Sequence, residues 1–319
     1  MKILQKNGPY FKVLNLSDPQ LGDEEWPGEP SQLMVDTVTK LIHKIQPDLI
    51  TVSGDIAWPG NYESYSNFVN FIDGFQIPWA PVFGNHDLQD GHDSVMKSID
   101  LFSKSPYCLF ESGDPKLGYG NYVLGIEENG KLIHGVIMMD SHDRMDWVNP
   151  QGETQECWAQ LYPEQFDWYA GVVDQLQAQG IRETSIVMHI PIYTYREAMK
   201  AALKEGIDPD SVPAGKGEQV GCWNEGYEDS FGVLYESISS FPVDNGFFDL
   251  ILAKNSTKNV LCGHDHVNNL SVNYKGVRLT FSMKAGMGCY WNKNLNGGTV
   301  LAIDSDGKVQ VEHHYIPVE

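Results

Sequence analysis

Apolar and polar positions along this chain follow two rhythms. Near the N-terminus, short apolar runs alternate with stretches of helical spacing. Phe11–Leu16 reads as a buried strand that ends at Ser17-Asp18. Over Ser31–Ile45, Met34, Val38, Leu41 and Ile45 recur three and four residues apart, the stripe of an amphipathic helix. Leu49–Val52 is a second strand and runs into Gly54-Asp55. Asn61–Asp73 repeats the helical stripe through Tyr62, Tyr65, Phe68, Val69 and Ile72, and Ala80–Phe83 is a third strand before Gly84-Asn85-His86-Asp87. This β-α-β-α-β order predicts a parallel sheet with right-handed crossovers.

The later pattern is richer in strands. Asn121–Ile126 and Leu132–Met139 flank Glu127-Glu128-Asn129-Gly130, the signature of a hairpin. Pro163–Gln179 reads as a helix, and the strands Ser185–Met188 and Val260–Leu261 each run into a histidine. Leu270–Tyr274, Val277–Phe281, Thr299–Ile303 and Val309–His314 are β-rich and joined by Gly- and Asp-containing turns. Two sheets with helices outside them account for this order. The stretch 190–230 is rich in Gly, Pro and polar residues, with one helical stretch near Glu197–Lys204. It is too long for a passive connection and reads as a functional loop within one domain spanning 1–319.

Composition narrows the function. The chain has 319 residues, 41% of them hydrophobic, enough to bury a core without disulfides or a structural metal. Its 22 basic and 43 acidic residues leave a net charge of −21. Nucleic-acid polymers and anionic membranes need a basic face, so neither is an expected partner. A phosphorylated substrate would have its charge met locally, by metals or a few placed cations. The five cysteines, 108, 157, 222, 262 and 289, are odd in number and lack C-x-x-C pairing, so neither a disulfide framework nor a zinc ribbon is expected. The start of the chain lacks the apolar segment of a signal peptide, and no run is long enough to span a membrane, so a cytoplasmic location is expected.

The chemistry sits at the strand ends. Five strand-like runs finish on Asp18, Asp55, Asn85, His189 and the pair His264/His266. The carboxyl ends of parallel strands share one edge, where ligands bind, so these residues converge. Two carboxylates, one amide and three imidazoles suffice for two ions if one carboxylate bridges. Asp55, after a glycine that permits a tight turn, is the natural bridge. In Gly263-His264-Asp265-His266, alternate residues of an extended chain face one side, so both imidazoles can enter one site. Taken singly, each residue also has a plain structural use: a turn, a helix cap or a packed imidazole.

The order Asp18-Pro19-Gln20, Gly54-Asp55, Gly84-Asn85-His86-Asp87, His189, Gly263-His264-Asp265-His266 resembles the calcineurin-like metallophosphoesterases. The likeness spans roughly residues 11 to 290. Pro78-Trp79-Ala80-Pro81-Val82-Phe83, His189-Ile190-Pro191 and Cys262 before the last motif are similar to the purple-acid-phosphatase-like branch. The resemblance implies an α/β fold, a four-layer αββα sandwich of two mixed sheets flanked by helices. It also implies a binuclear centre, with Asp18, Asp55 and His266 at the first metal and Asp55, Asn85, His189 and His264 at the second. His86 would be the general acid, oriented by Asp87. The reaction implied is hydrolysis of a small phosphate mono- or diester by hydroxide activated between the ions. Nucleotide or cyclic-nucleotide phosphodiesterase and protein phosphatase are the alternatives within the superfamily, and an inactive metal-binding scaffold is the alternative outside catalysis.

Two departures bear on the metals. Gln20 stands where many members have His, so the first site gains an amide oxygen or a water. This favours Mn or Fe among the two divalent or trivalent ions, with Zn and Mg as open alternatives. Trp58 stands where purple enzymes have a ligating Tyr, so the charge-transfer colour is not expected. For the substrate, Tyr193, Tyr195, Trp223 and Asn224, with Tyr290-Trp291, either wall the pocket or staple the loop to the core. His142 and Arg144 either contact a substrate phosphate or form an ordinary surface pair.

Overall fold

The computed structural model describes residues 1–22, 26–204, 208–212 and 223–318. In chain order its elements are β1 (Lys2–Gln5), β2 (Phe11–Leu16), α1 (Glu29–Ile45), β3 (Leu49–Ser53), α2 (Tyr62–Asp73), β4 (Trp79–Val82), α3 (Asn85–Leu88), α4 (His92–Lys104), β5 (Tyr122–Glu128) and β6 (Lys131–Met138). There follow β7 (Arg144–Val148), β8 (Thr154–Trp158), α5 (Pro163–Ala178), β9 (Glu183–Val187), α6 (Thr194–Ala202), α7 (Phe247–Lys254), β10 (Thr257–Cys262), β11 (Ser271–Tyr274), β12 (Val277–Phe281), β13 (Gly297–Ile303) and β14 (Val309–Tyr315).

The strands form a seven-stranded sheet, β1-β5-β6-β9-β10-β12-β11, and a five-stranded sheet, β14-β13-β2-β3-β4. β2, β3 and β4 are parallel, as the alternating pattern requires, and β6, β9, β10 and β12 are parallel neighbours in the larger sheet. Both sheets are mixed, because β13 pairs antiparallel with β2, and β5 with β6. Alternation of side chains divides each strand between two cores. Leu14, Leu16, Ile50 and Val52 pack with Met34, Val38 and Leu41 of α1 and Phe68 and Ile72 of α2. Phe11, Val13, Leu49 and Ala80 face the other way and meet Leu124, Val136, Val187 and Leu261 between the sheets. The far side of the large sheet is covered by α5, α6 and α7 through Tyr169, Val173, Ala198, Met199, Phe247 and Ile251. The layers are therefore helix, sheet, sheet, helix.

Several elements lie beyond those read from the pattern. α7 is nearly all apolar, FFDLILAK, so it shows no helical stripe. β7 and β8 form a separate two-stranded ribbon, largely exposed, each strand too short to carry a firm signal. The loop expected over 190–230 falls partly outside the described residues, and so does Cys222. Within it, the helix expected near Glu197–Lys204 begins earlier, at Thr194. Among the described residues, no helix is long and apolar enough to cross a membrane.

Candidate metal centre

Five strands end at one edge of the inter-sheet layer, and three of them are followed by a tight turn. Asp18, Asp55 and His264 all have left-handed backbones, with φ of 51°, 51° and 75°. Such conformations are costly for residues with a Cβ and persist where the surroundings impose them. At Gly54, φ is 86° and an added Cβ would lie 2.6 Å from the Gly84 nitrogen and 2.7 Å from His189 Nδ1. The ends of β3 and β4 approach each other too closely for any side chain there.

Asp87 holds this turn. Its Oδ2 accepts the amide hydrogens of Gly84 at 2.7 Å and Asp55 at 2.8 Å. Its Oδ1 accepts from Ile56 N at 3.0 Å and from the Tyr65 hydroxyl. This corrects the expectation that Asp87 orients His86. As the third residue of α3, its side chain reaches back to the free amides at the helix start. The His86 ring instead meets Gln89 Oε1 through Nδ1 at 3.0 Å and packs against Trp58, with ring centres 4.4 Å apart.

Asp55 is central to the cluster. Its Oδ2 lies 3.5 Å from His189 Nε2 and 3.9 Å from His86 Nε2, while Oδ1 accepts the His86 amide hydrogen. His189 Nδ1 donates to the Ser53 carbonyl at 2.7 Å, which leaves Nε2 facing the site. That Nε2 is 2.9 Å from Asn85 Oδ1 and 3.2 Å from His264 Nδ1. His266 is oriented in the same way: Nδ1 donates to Tyr290 O at 3.0 Å, and Nε2 lies 3.5 Å from Asp18 Oδ1. Ligand atoms of Asp18, Asp55 and His266 all fall within 4.8 Å of one another.

Three of these buried side chains have an atom without a hydrogen-bond partner: Asp18 Oδ1, Asn85 Nδ2 and His264 Nε2. Unpaired polar atoms are rare in buried positions, and three gathered in one place suit a site that binds a ligand or ion. The donor set of carboxylate, imidazole and amide suits divalent ions. The residues therefore fit two metals. The charges agree. Burial alone would raise Asp18, but the close approach of His266 and the charges of His189, His266 and Lys284 hold it well below the usual carboxylate range. Asp55 behaves likewise, burial being outweighed by His189. Burial would lower His189, yet Asp55 and Asp18 push it up to about 10. Burial and the nearby His189 charge bring His264 down to about 3.

Gln20 departs from the ligand expectation. Lys284 Nζ, buried, donates to Gln20 Oε1 at 2.9 Å and to Asp18 O at 2.6 Å. An ammonium only donates, so the amide oxygen must face it, and the amide NH₂ turns toward Asp55 Oδ2 at 3.2 Å. Lys284 itself carried no signal in the sequence, being a single lysine just past a strand.

The substrate candidates separate. Asn224 Nδ2 donates to Ala201 O and Leu203 O, both at 2.8 Å, and so closes the end of α6. Trp223 bridges Leu203 and packs on the core. His142 is buried, bonded to Gln165 Oε1 at 2.8 Å and stacked on Tyr162 at 4.0 Å. These three are structural here, because each has its polar or apolar demands met inside the fold. Tyr195 is likewise fully buried, its hydroxyl donating to Val260 O at 2.8 Å. Tyr193 lines a small cavity with Ser141, Gln160, Ile190 and Phe241. Arg144 lies on the β7–β8 ribbon, 4.0 Å above the Trp158 ring, and Trp158 meets His264 edge-on at 4.3 Å. Tyr290 stacks on His266 at 4.2 Å, with its hydroxyl bonded to the buried Glu236. Trp158 and Glu236 also escaped the sequence reading, since neither belongs to a motif.

The family model for calcineurin-like phosphoesterases matches residues 11–268. An Arabidopsis thaliana protein named "Probable inactive purple acid phosphatase 29" is 25% identical over 276 residues, 79% of this chain and 63% of that protein. The chain thus spans less than two thirds of that relative's length. A Xenorhabdus bovienii protein named as a probable cyclic nucleotide phosphodiesterase is 38% identical over 109 residues, 32% of this chain and 42% of that protein. The crystal structure of a dimetal phosphatase from Danio rerio superposes with a TM-score of 0.58 over 97% of this chain and 99% of that one, at 12% identity, a likeness of fold.

Proposed function

The chain belongs to the calcineurin-like phosphoesterase family, and from that membership we propose that it hydrolyses a small phosphate mono- or diester with two metal ions. The observation that carries the proposal is the convergence of Asp18, Asp55, Asn85, His189, His264 and His266 with three unpaired buried atoms among them. Asp18, Asp55 and His266 would hold the first ion, and Asp55, Asn85, His189 and His264 the second. When bound, such ions would act as Lewis acids and bring the pKa of water toward neutrality. Ser53 and Tyr290 carbonyls fix the two imidazoles so that each Nε2 faces inward. The unpaired Asn85 NH₂ offers a donor to an equatorial phosphate oxygen, where charge gathers as the ester breaks. His86, half-buried beside Trp58, carries the proton for the departing alkoxide.

The inactive-scaffold reading gains some support from the name of the Arabidopsis relative. Against it, the bridging carboxylate Asp55 and the candidate acid His86 are both present and in contact. The likeness to the Xenorhabdus protein favours testing diesters as well. The test is a panel of p-nitrophenyl phosphate, bis-p-nitrophenyl phosphate and nucleotides with added Mn²⁺, beside metal analysis. Hydrolysis with two bound equivalents supports the proposal. Two equivalents without turnover on any ester would leave a scaffold.

A further inference from the structure

The Gln20–Lys284 pair occupies the flank of the first metal site, where the resemblance leads one to expect an imidazole. Lys284 is 3% exposed, and among the described residues its Nζ donates to backbone and amide oxygens: Asp18 O at 2.6 Å and Gln20 Oε1 at 2.9 Å. No carboxylate forms a salt bridge with it among the described residues, so its charge acts on the site as a whole. The pair also determines what Gln20 can offer. With Oε1 held by the ammonium, the amide turns its NH₂ toward Asp55 Oδ2 at 3.2 Å, and a donor repels a cation.

We propose that Gln20 is a positioning residue and that Lys284 is a cationic counterweight, which together make the first ion the weak and exchangeable one of the pair. The inference rests on the two-ion reading given above. At the first site the protein supplies Asp18, Asp55 and His266, with one positive charge beside them. At the second it supplies Asp55, Asn85, His189 and His264, with no lysine or arginine among their hydrogen-bonding partners in the described residues. A positive charge beside a buried cation opposes its binding, so the ion at the first site is held less tightly than the one at the second.

The test is Mn²⁺ binding to metal-stripped protein, by calorimetry and by equilibrium dialysis with metal analysis. The wild-type chain binds one tight and one weak equivalent. Lys284→Met tightens the weak one by about tenfold or more, while Lys284→Arg, which keeps the charge, does not. Gln20→Ala supplies a second arm should the Lys284 variants fail to fold. It tightens the weak equivalent, whereas a ligand role would weaken it by about tenfold or more. An unchanged weak equivalent in Lys284→Met, or an unchanged or weakened one in Gln20→Ala, overturns the proposal and leaves the two-ion reading standing. Fewer than two equivalents in the wild-type chain overturns both.

Discussion

The carboxylate of Asp87 accepts the backbone amide hydrogen of Asp55 at 2.8 Å, so the residue next to the candidate acid serves the turn that carries the candidate bridge. The same carboxylate serves Gly84, Ile56 and Tyr65. Asp87→Ala would leave several buried donors unpaired, and we expect a loss of about 2–3 kcal/mol in urea unfolding together with weaker Mn²⁺ retention. If Asp87 acted instead by orienting His86, turnover would fall with stability and metal content intact.

His86→Ala is expected to lower kcat by roughly 10²–10⁴-fold on esters with poor leaving groups, with two ions still bound. The effect should shrink on p-nitrophenyl esters, whose leaving group needs little protonation. Full turnover of an alkyl phosphate by the variant would remove His86 from the proposed role.

Gly84 has an ordinary φ of −101°, so its importance is steric. A Cβ there would lie 2.2 Å from Asp55 Oδ1 and 2.5 Å from the Asp55 nitrogen. Gly84→Ala must push the carboxylate out of place, and metal analysis after dialysis against Mn²⁺ should return fewer than two equivalents. Retention of both ions would show that the turn can relax around a methyl group.

Two histidines away from the centre set an acid limit. Burial pushes His134 down to about 4, although its hydrogen bond with Gly307 O works the other way, and burial takes His313 down to about 4 as well. Unfolded, each would titrate near about 6.5. Between these values the unfolded chain binds protons that the folded chain does not, so stability falls as pH drops from about 6.5 to 4. The slope is about 1.4 kcal/mol per pH unit for each group. In metal-stripped protein, His134→Gln should remove about one proton from that slope in denaturant titrations. An unaltered slope would mean that His134 is not held neutral.

The layered fold and the order of candidate ligands were legible because both depend on local pattern. A short apolar run followed at once by Asp18, Asp55, Asn85 or His189 shows a strand end and a polar group together, and parallel strands must bring such ends to one edge. The nearly all-apolar α7 and the short, exposed β7–β8 ribbon were not legible, since neither displays a sustained period that separates helix from strand.

The sequence by itself determined which residues could meet, because chain order, hydrophobic spacing and side-chain chemistry are written in it. Only the tertiary structure decided what each one faces. Gln20 meets Lys284 across 264 residues of chain, and its amide direction follows from a donor that no motif announces. Asp87 turns back to Gly84 and Asp55 because the ends of two strands leave amides unpaired beside it. Hydrogen-bond direction depends on distances of a few tenths of an ångström between distant segments, and those are fixed by packing of the whole fold.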